Sequence, residues 1–265
     1  MMKNISDVKD SCVGCRSCEQ VCPKKIIVMK ESEEGFLYPY VDEKKCIDCL
    51  LCVKRCPTQS LKNDTAIPMF VYALRDKNDM QIMQSASGGV GVLAAQSMIE
   101  KGGIAYGAAY DECFYVKHIR VKELNDLPKI QSTKYVQSDT NDTYSQVLKD
   151  LCSGKMVLYT GTPCQIDGLH SFLGKEYENL YTIDLICHGV PSPKFFKKYI
   201  EYRNSQTAGK VTYFNFRSKD KRGWGTQYLL KTETKTKTEV KTLSFDRYGK
   251  HFMAADCYRE CCYQC

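Results

Sequence analysis

The length, composition and charge of the chain exclude several classes of protein. Its 265 residues are 43% hydrophobic and 26% charged, as in an ordinary folded protein rather than a disordered one. The first ten residues lack the apolar stretch of an export signal, and the longest apolar run, residues 90–95, is too short to span a bilayer. We therefore expect a cytoplasmic protein without a membrane span, whose 16 cysteines are reduced metal ligands rather than disulfides.

The net charge of +7 is spread along the chain and argues against a nucleic-acid partner. Its densest run, residues 231–241, alternates threonine with lysine and glutamate at a period of two, which is typical of an exposed strand. A nucleic-acid site would instead need clustered basic side chains with interleaved aromatic ones. A redox protein partner with an acidic surface fits the charge better, because surface charge steers encounter.

The N-terminal part of the chain contains one cysteine pattern twice. The pattern is C-x2-C-x2-C-x3-C-P, as in bacterial two-cluster ferredoxins, where the fourth cysteine of each run binds the other cluster. It predicts a ferredoxin domain over residues 1–63 with two 4Fe-4S clusters. The predicted ligands are Cys12, Cys15, Cys18 and Cys56 for the first cluster, and Cys46, Cys49, Cys52 and Cys22 for the second.

Zinc is the alternative metal for such cysteines. Zinc ribbons pair two C-x2-C knuckles, and they need neither a third cysteine at the same interval nor a proline after the fourth. Both runs here have these additional features, since Pro23 and Pro57 follow the last cysteines. The pattern therefore favours iron-sulfur clusters.

After a polar linker at residues 62–68, alternating strand and helix patterns predict a larger mixed α/β (α+β) domain. We divide it into an N-terminal part, residues 68–150, and a C-terminal part, residues 151–265. Predicted strands cover residues 70–74, 104–109, 156–160, 181–186, 211–216, 228–231 and 240–245. Predicted helices cover residues 88–100, 142–151, 165–173, 193–202 and 246–255, and Ser192 caps the fourth of them.

A turn rich in small residues precedes the first of these helices. It contains Ser85, Ser87, Gly88 and Gly89. Free N–H groups at a helix start, together with nearby hydroxyls, can bind a phosphate or a flavin pyrophosphate. The same residues also suit a helix cap with glycines for close packing, and the local sequence does not decide between these two interpretations.

Four further cysteines are candidates for a third 4Fe-4S cluster: Cys164, Cys187, Cys262 and Cys265. Cys164 lies at a predicted helix start, where the helix dipole lowers a thiol pKa, and Cys187 follows a predicted buried strand. Alternatively, Cys164 and His188 form the nucleophile and base of a thiol hydrolase. A ferredoxin domain has no use in hydrolysis, so the cluster is favoured.

The remaining cysteines and histidines of interest lie in ordinary segments. We expect Cys113 and Cys152 to be buried free thiols. His118, His170 and His251 are isolated, so they are expected to be structural or surface residues rather than ligands.

Taken together, several segments of the larger domain resemble the coenzyme F420 hydrogenase/dehydrogenase beta-subunit family. They are residues 85–89, 132–138, 161–165, 184–192, 216–219 and 223–224, and Arg259 with Cys262 and Cys265. The resemblance implies FAD, a 4Fe-4S cluster within the larger domain, and electron exchange with a low-potential partner. It also implies that Ser87, Gly88 and Gly89 contact FAD phosphates, Lys134 the flavin or its pyrophosphate, and Arg217 and Lys219 an anionic cofactor or substrate.

The sequence departs from the family after its last C-x2-C, where relatives continue with an Asp- and Gly-rich stretch. We therefore expect a C-terminally truncated domain. The predicted function is that of an iron-sulfur flavoprotein oxidoreductase passing electrons between 4Fe-4S clusters, FAD and a two-electron substrate, a deazaflavin or another small organic molecule. The alternatives are a flavin-free electron-transfer subunit, and a redox accessory protein of cell-surface polysaccharide biosynthesis. The electron donor or acceptor is a redox protein or a small molecule.

Overall fold

The structure is a computed structural model that describes residues 3–59, 68–207, 209–221 and 229–265. Most of the predicted linker, the predicted strand start at residue 228 and the family segment at residues 223–224 lie outside these ranges. Within them, no helix is both long enough and apolar enough to cross a bilayer.

The N-terminal part is a small two-stranded sheet with two short helices around the eight cysteines. Its elements are a 3-10 helix (Ile5–Ser11), α1 (Ser17–Val21), β1 (Ile27–Glu31), β2 (Leu37–Val41), a 3-10 turn (Glu43–Lys45) and α2 (Leu51–Lys54). Strands β1 and β2 are antiparallel. Arg16 and Leu50, each directly after the second cysteine of its run, both have a left-handed backbone, with φ of 61° and 55°. The duplicated sequence thus builds the same turn twice.

A mixed four-stranded sheet forms the first half of the larger domain. Its elements in chain order are α3 (Asp79–Gln84), α4 (Val90–Glu100), β3 (Ile104–Tyr110), β4 (Val116–Val121), α5 (Leu127–Ile130), α6 (Thr143–Cys152), β5 (Val157–Gly161), α7 (Pro163–Leu173) and β6 (Leu180–Asp184). The strand order is β4-β3-β5-β6, with β3, β5 and β6 parallel and β4 antiparallel at the edge. Buried Tyr106, Tyr144 and Tyr159 fill the core between this sheet and its helices.

An antiparallel three-stranded sheet forms the second half. Its elements are α8 (Pro193–Ser205), β7 (Val211–Ser218), β8 (Leu229–Thr234), β9 (Thr238–Thr242) and α9 (Arg247–Ala254), with 3-10 turns at Leu243–Phe245 and Glu260–Gln264. Ser192 caps α8 as predicted, because its hydroxyl accepts the Phe195 N–H. Phe196, Phe216 and Tyr248 pack an aromatic core between α8, α9 and this sheet. The mixed α/β class is as predicted.

Several local predictions were wrong. Residues 70–74 form no strand, and their apolar side chains are exposed, with Phe70 at 68%. Residues 231–241 form a hairpin of β8 and β9 rather than one strand, because Glu233 pairs with Thr238 across a turn. Strand β6 was expected to be buried but is half exposed. The sequence analysis also missed β4.

The expectation for two thiols was wrong as well. Cys113 and Cys152 are exposed rather than buried. Cys113 lies in the tight turn between β3 and β4, where its N–H donates to the Asp111 carboxylate. Cys152 is the last residue of α6. Neither position faces the core.

Candidate functional site

The first cysteine group is formed by Cys12, Cys15, Cys18 and Cys56, all of which are buried. Burial raises the pKa of the Cys15 and Cys18 thiols, and the charges of Cys12 and Cys56 raise both further. Cys12, Cys18 and Cys56 pack in one buried apolar cluster, which places these thiols close together. The Ser17 hydroxyl donates to the Arg55 carbonyl at 2.9 Å and joins the two halves of the domain beside them.

The second group is formed by Cys22, Cys46, Cys49 and Cys52, which line one cavity together with apolar residues that include Ile27. Cys22 is buried, Cys46 and Cys52 are half-buried, and Cys49 is exposed. This group is therefore the one nearer to solvent. Each group contains three cysteines from one run and the fourth from the other.

The third group collects Cys164, Cys187, Cys262 and Cys265 from three separate segments. Burial raises the pKa of Cys164 to about 11, and the charges of the other three thiols contribute to the increase. The predicted lowering of this pKa by the helix dipole was wrong, because burial outweighs it. A bridge between Pro191 and Tyr258 brings the C-terminal segment to the loop after β6.

The first and third groups lie against each other. A Cβ atom on Gly168 would lie only 2.7 Å from the Cys15 Cβ, so α7 contacts the loop of the first group without an intervening side chain. Cys164 lies four residues before Gly168 and hence on the same face of α7. The charge of Cys164 also adds to the increase in the Cys15 pKa that burial causes.

The alternatives to clusters fit this geometry less well. In the described ranges, no three His, Cys, Asp or Glu side chains converge on a single metal ion, as zinc would require. The cysteines of a 4Fe-4S cluster bind separate iron atoms and need not converge. The hydrolase pair is not formed either, since His188 contacts the Tyr258 hydroxyl at 3.0 Å and Cys164 that of Thr162 at 3.2 Å.

The turn before α4 is closely packed. A Cβ on Gly88 would lie 2.9 Å from the Leu74 carbonyl oxygen, and Gly89 has a left-handed backbone with φ of 80°. The Ser85 hydroxyl donates to the Gln81 carbonyl and accepts from the Gln131 side chain. Ser87 is exposed, and no side chain within the described part of the chain caps the N–H groups at the start of α4. Packing accounts for the glycines, while Ser87 and the helix start face solvent.

Of the three predicted basic residues, Lys219 contacts this turn directly, and Lys134 contacts Gln131, whose side chain reaches Ser85. Lys219 donates to the carbonyls of Ile82 and Ser87, at 2.6 and 2.7 Å. Lys134 donates to the Gln131 carbonyl at 2.8 Å, and burial lowers its pKa to about 7. The Arg217 guanidinium donates to the Tyr135 hydroxyl.

An unpaired polar atom lies beside this basic group. The buried Tyr110 hydroxyl has no hydrogen-bond partner among the described residues, and the Lys134 ammonium lies 5.7 Å from its ring. A buried hydroxyl without a partner is a feature that an additional bound polar group would explain.

Comparison with known proteins defines the class of this chain. Residues 11–60 match the 4Fe-4S dicluster domain family, so the chain is an iron-sulfur protein of the ferredoxin type at its N-terminal end. Residues 154–265 match the family described as the C terminus of the coenzyme F420 hydrogenase/dehydrogenase beta subunit. Residues 154–265 thus belong to this beta-subunit family and residues 11–60 to the dicluster family, which confirms the resemblance that the motifs indicate.

Individual relatives match mainly the ferredoxin part. An uncharacterized ferredoxin of Methanocaldococcus jannaschii is 38% identical over 53 residues, which are 20% of this chain and 68% of the relative. NADH-quinone oxidoreductase subunit I 2 of Geobacter metallireducens is 36% identical over 77 residues, which are 27% of this chain and 59% of that subunit.

A solved structure of the F420-reducing NiFe hydrogenase complex from Methanosarcina barkeri is also similar. The identity is 18% and the TM-score 0.45, over 64% of this chain and 59% of that chain. The chain thus spans about three fifths of both the oxidoreductase subunit and this hydrogenase chain.

Proposed function

We propose that the chain is an iron-sulfur oxidoreductase in which the three cysteine groups hold three 4Fe-4S clusters. The ligands are the sets of four cysteines described above for each group. The supporting observation is that cysteines of both N-terminal runs lie in one apolar cluster and around one cavity, while the bridge between Pro191 and Tyr258 brings the C-terminal cysteines to the loop of Cys187. Clusters bound there would each take up and release one electron.

The burial of the groups suggests where a redox partner docks. The second group includes exposed Cys49 and the third includes exposed Cys187 and Cys265, whereas the first is buried. Exposed apolar side chains lie next to both, Ile47 beside the second group and Ile186 beside the third. A redox protein therefore has access at the second and third groups rather than at the first.

We assign FAD to the turn before α4 in the same proposal. Ser87 and the uncapped N–H groups of α4 would bind its phosphates, with Lys134 and Arg217 supplying positive charge, while Lys219 holds the turn through main-chain carbonyls. FAD would connect the one-electron chemistry of clusters to the two-electron chemistry of a small organic substrate, such as a deazaflavin.

The experiment is anaerobic purification followed by iron, sulfide and flavin quantitation on one sample. We expect about twelve iron atoms and one FAD per chain. Clusters without flavin, even after FAD is added, would refute the flavin part and favour the flavin-free electron-transfer subunit.

The third cluster has its own test in Cys164→Ser. This variant should lower the iron content from about twelve to about eight atoms per chain, because a cluster with a missing ligand is not retained. The matched control is Cys152→Ser, which changes an exposed thiol outside the three groups and should leave the iron content unchanged. Equal iron content in both variants would refute the third cluster.

A further inference from the structure

Arg259 connects the third cysteine group to the ferredoxin domain. Its main chain belongs to the third group, since its N–H donates to the Val190 carbonyl and its carbonyl accepts the Cys262 N–H at 2.9 Å. The side chain extends in the opposite direction and is only 1% exposed.

The guanidinium of Arg259 ends on the loop of the first group. It donates to the carbonyl of Cys12, to the carbonyl of Leu37 at 2.8 Å, and to the amide oxygen of Gln137 at 3.1 Å. The ring of Tyr38 lies 4.3 Å from it. All of these neighbours are uncharged.

Arg259 differs in this respect from half-buried Arg16 and buried Arg203. Arg16 pairs with Asp139 and Arg203 with Glu239, whereas no carboxylate in the described ranges forms an ion pair with Arg259. A buried charge without a counterion is destabilising unless another group compensates it. The structure must therefore supply negative charge near Arg259.

The cysteines of two groups lie where this charge is needed. The guanidinium donates to the carbonyl of Cys12, and a Cβ atom added to Gly14 in the same loop would lie 3.0 Å from its Nη1. On the other side, the Arg259 carbonyl accepts the Cys262 N–H at 2.9 Å. Arg259 thus lies between the cysteines of the first group and those of the third.

We infer that Arg259 is a positioning residue that compensates the negative charge of the first and third clusters and raises their reduction potentials. This inference rests on the proposed ligand sets. Adding an electron makes a cluster more negative, and its potential depends on nearby charge, hydrogen bonds and burial. A fixed cation in a buried site therefore favours the reduced form. The second group has no contact with Arg259 and should keep its potential.

The experiment is an anaerobic redox titration followed by electron paramagnetic resonance, on samples with equal iron content. Arg259→Gln should lower the equilibrium constant for reduction of the first and third clusters at least tenfold, which is about 59 mV for one electron. Arg259→Lys keeps the charge and should change the constant less than about threefold. The second cluster is the internal reference in each sample.

Two further variants separate charge from loss of structure. Gln137→Glu leaves Arg259 in place and puts a carboxylate beside it, so it should also lower the potentials of the first and third clusters. This variant provides the test if Arg259→Gln does not assemble. Arg55 also joins the two parts of the chain, because its guanidinium donates to the Ser171 carbonyl. Arg55→Gln should therefore change the cluster potentials less than Arg259→Gln does.

The results distinguish this inference from the proposal on which it rests. Unchanged potentials in both Arg259→Gln and Gln137→Glu would overturn the role of Arg259, and so would an equal shift in the potential of the second cluster. Either result would leave the proposal of three clusters standing. A wild-type protein with about eight iron atoms would instead overturn the ligand set of the third group.

Discussion

Replacing Gly168 with alanine tests how closely α7 must pack on the first cysteine group. The added Cβ would lie 2.7 Å from the Cys15 Cβ, 3.0 Å from its Sγ and 2.9 Å from the Tyr144 hydroxyl. Carbon atoms normally approach to about 3.5–4.0 Å, so Cys15 or the helix must move by about 1 Å. Overpacking of this kind lowers the free energy of unfolding by about 1–3 kcal/mol, and the better helix propensity of alanine raises it by about 1 kcal/mol.

We therefore expect Gly168→Ala to lose about 1 kcal/mol of stability, or a few degrees in the unfolding midpoint. Because Cys15 is a proposed ligand, iron should also be released faster to a ferrous chelator. The assay is anaerobic thermal unfolding followed by far-ultraviolet circular dichroism at one scan rate, together with the chelator kinetics.

Gly91→Ala is the matched control for Gly168→Ala. Gly91 also lies in a helix, but nothing lies within 4 Å of its added Cβ. This variant should be as stable as the wild type or more stable by up to about 1 kcal/mol, with unchanged iron release. If Gly168→Ala behaved in the same way, the close contact between α7 and the first group would be refuted.

Two further predictions concern the larger domain. Asp246→Ala should lower the free energy of unfolding by about 2–3 kcal/mol, because this buried carboxylate caps α9 and accepts a hydrogen bond from the Tyr199 hydroxyl. Removal of the exposed cap Asn78 should lower it by about 1 kcal/mol. Equal unfolding midpoints for the two variants would contradict this prediction. Burial lowers the pKa of His118 to about 4, so the stability that neutral His118 contributes is complete above its unfolded value of about 6.5 and is lost as pH falls toward 4. Imidazole nitrogen resonances should show neutral His118 at about pH 5.5, and a protonated signal there would show the reasoning to be wrong.

The sequence predicted best what local spacing determines. The two cysteine runs and the cap at Ser192 both depend on residues a few positions apart. The third cysteine group is not local, and the sequence indicated it only through a C-x2-C pair and two cysteines at strand ends; the structure places Cys164 and Cys187 after neighbouring parallel strands. The ends of such strands meet at one edge of a sheet.

The wrong predictions concern features that depend on distant partners. Residues 70–74 have the composition of a strand, but no strand of the described chain pairs with them. The helix dipole at Cys164 was recognised, whereas the burial that outweighs it comes from other segments. Likewise, the sequence gives no sign that Arg259 is buried, because its side-chain partners lie between 122 and 247 positions away.

The bond between Arg259 and Cys12 also has a consequence for synthesis of the protein. Cys12 leaves the ribosome 247 residues before Arg259 does. At about 5–20 residues per second, the ferredoxin domain therefore exists for at least about ten seconds before its arginine arrives. During that time the carbonyls of Cys12 and Leu37 lack their donor, and the first cysteine loop is open to water and oxygen. Cluster assembly is thus expected to finish only after the C-terminal segment has docked.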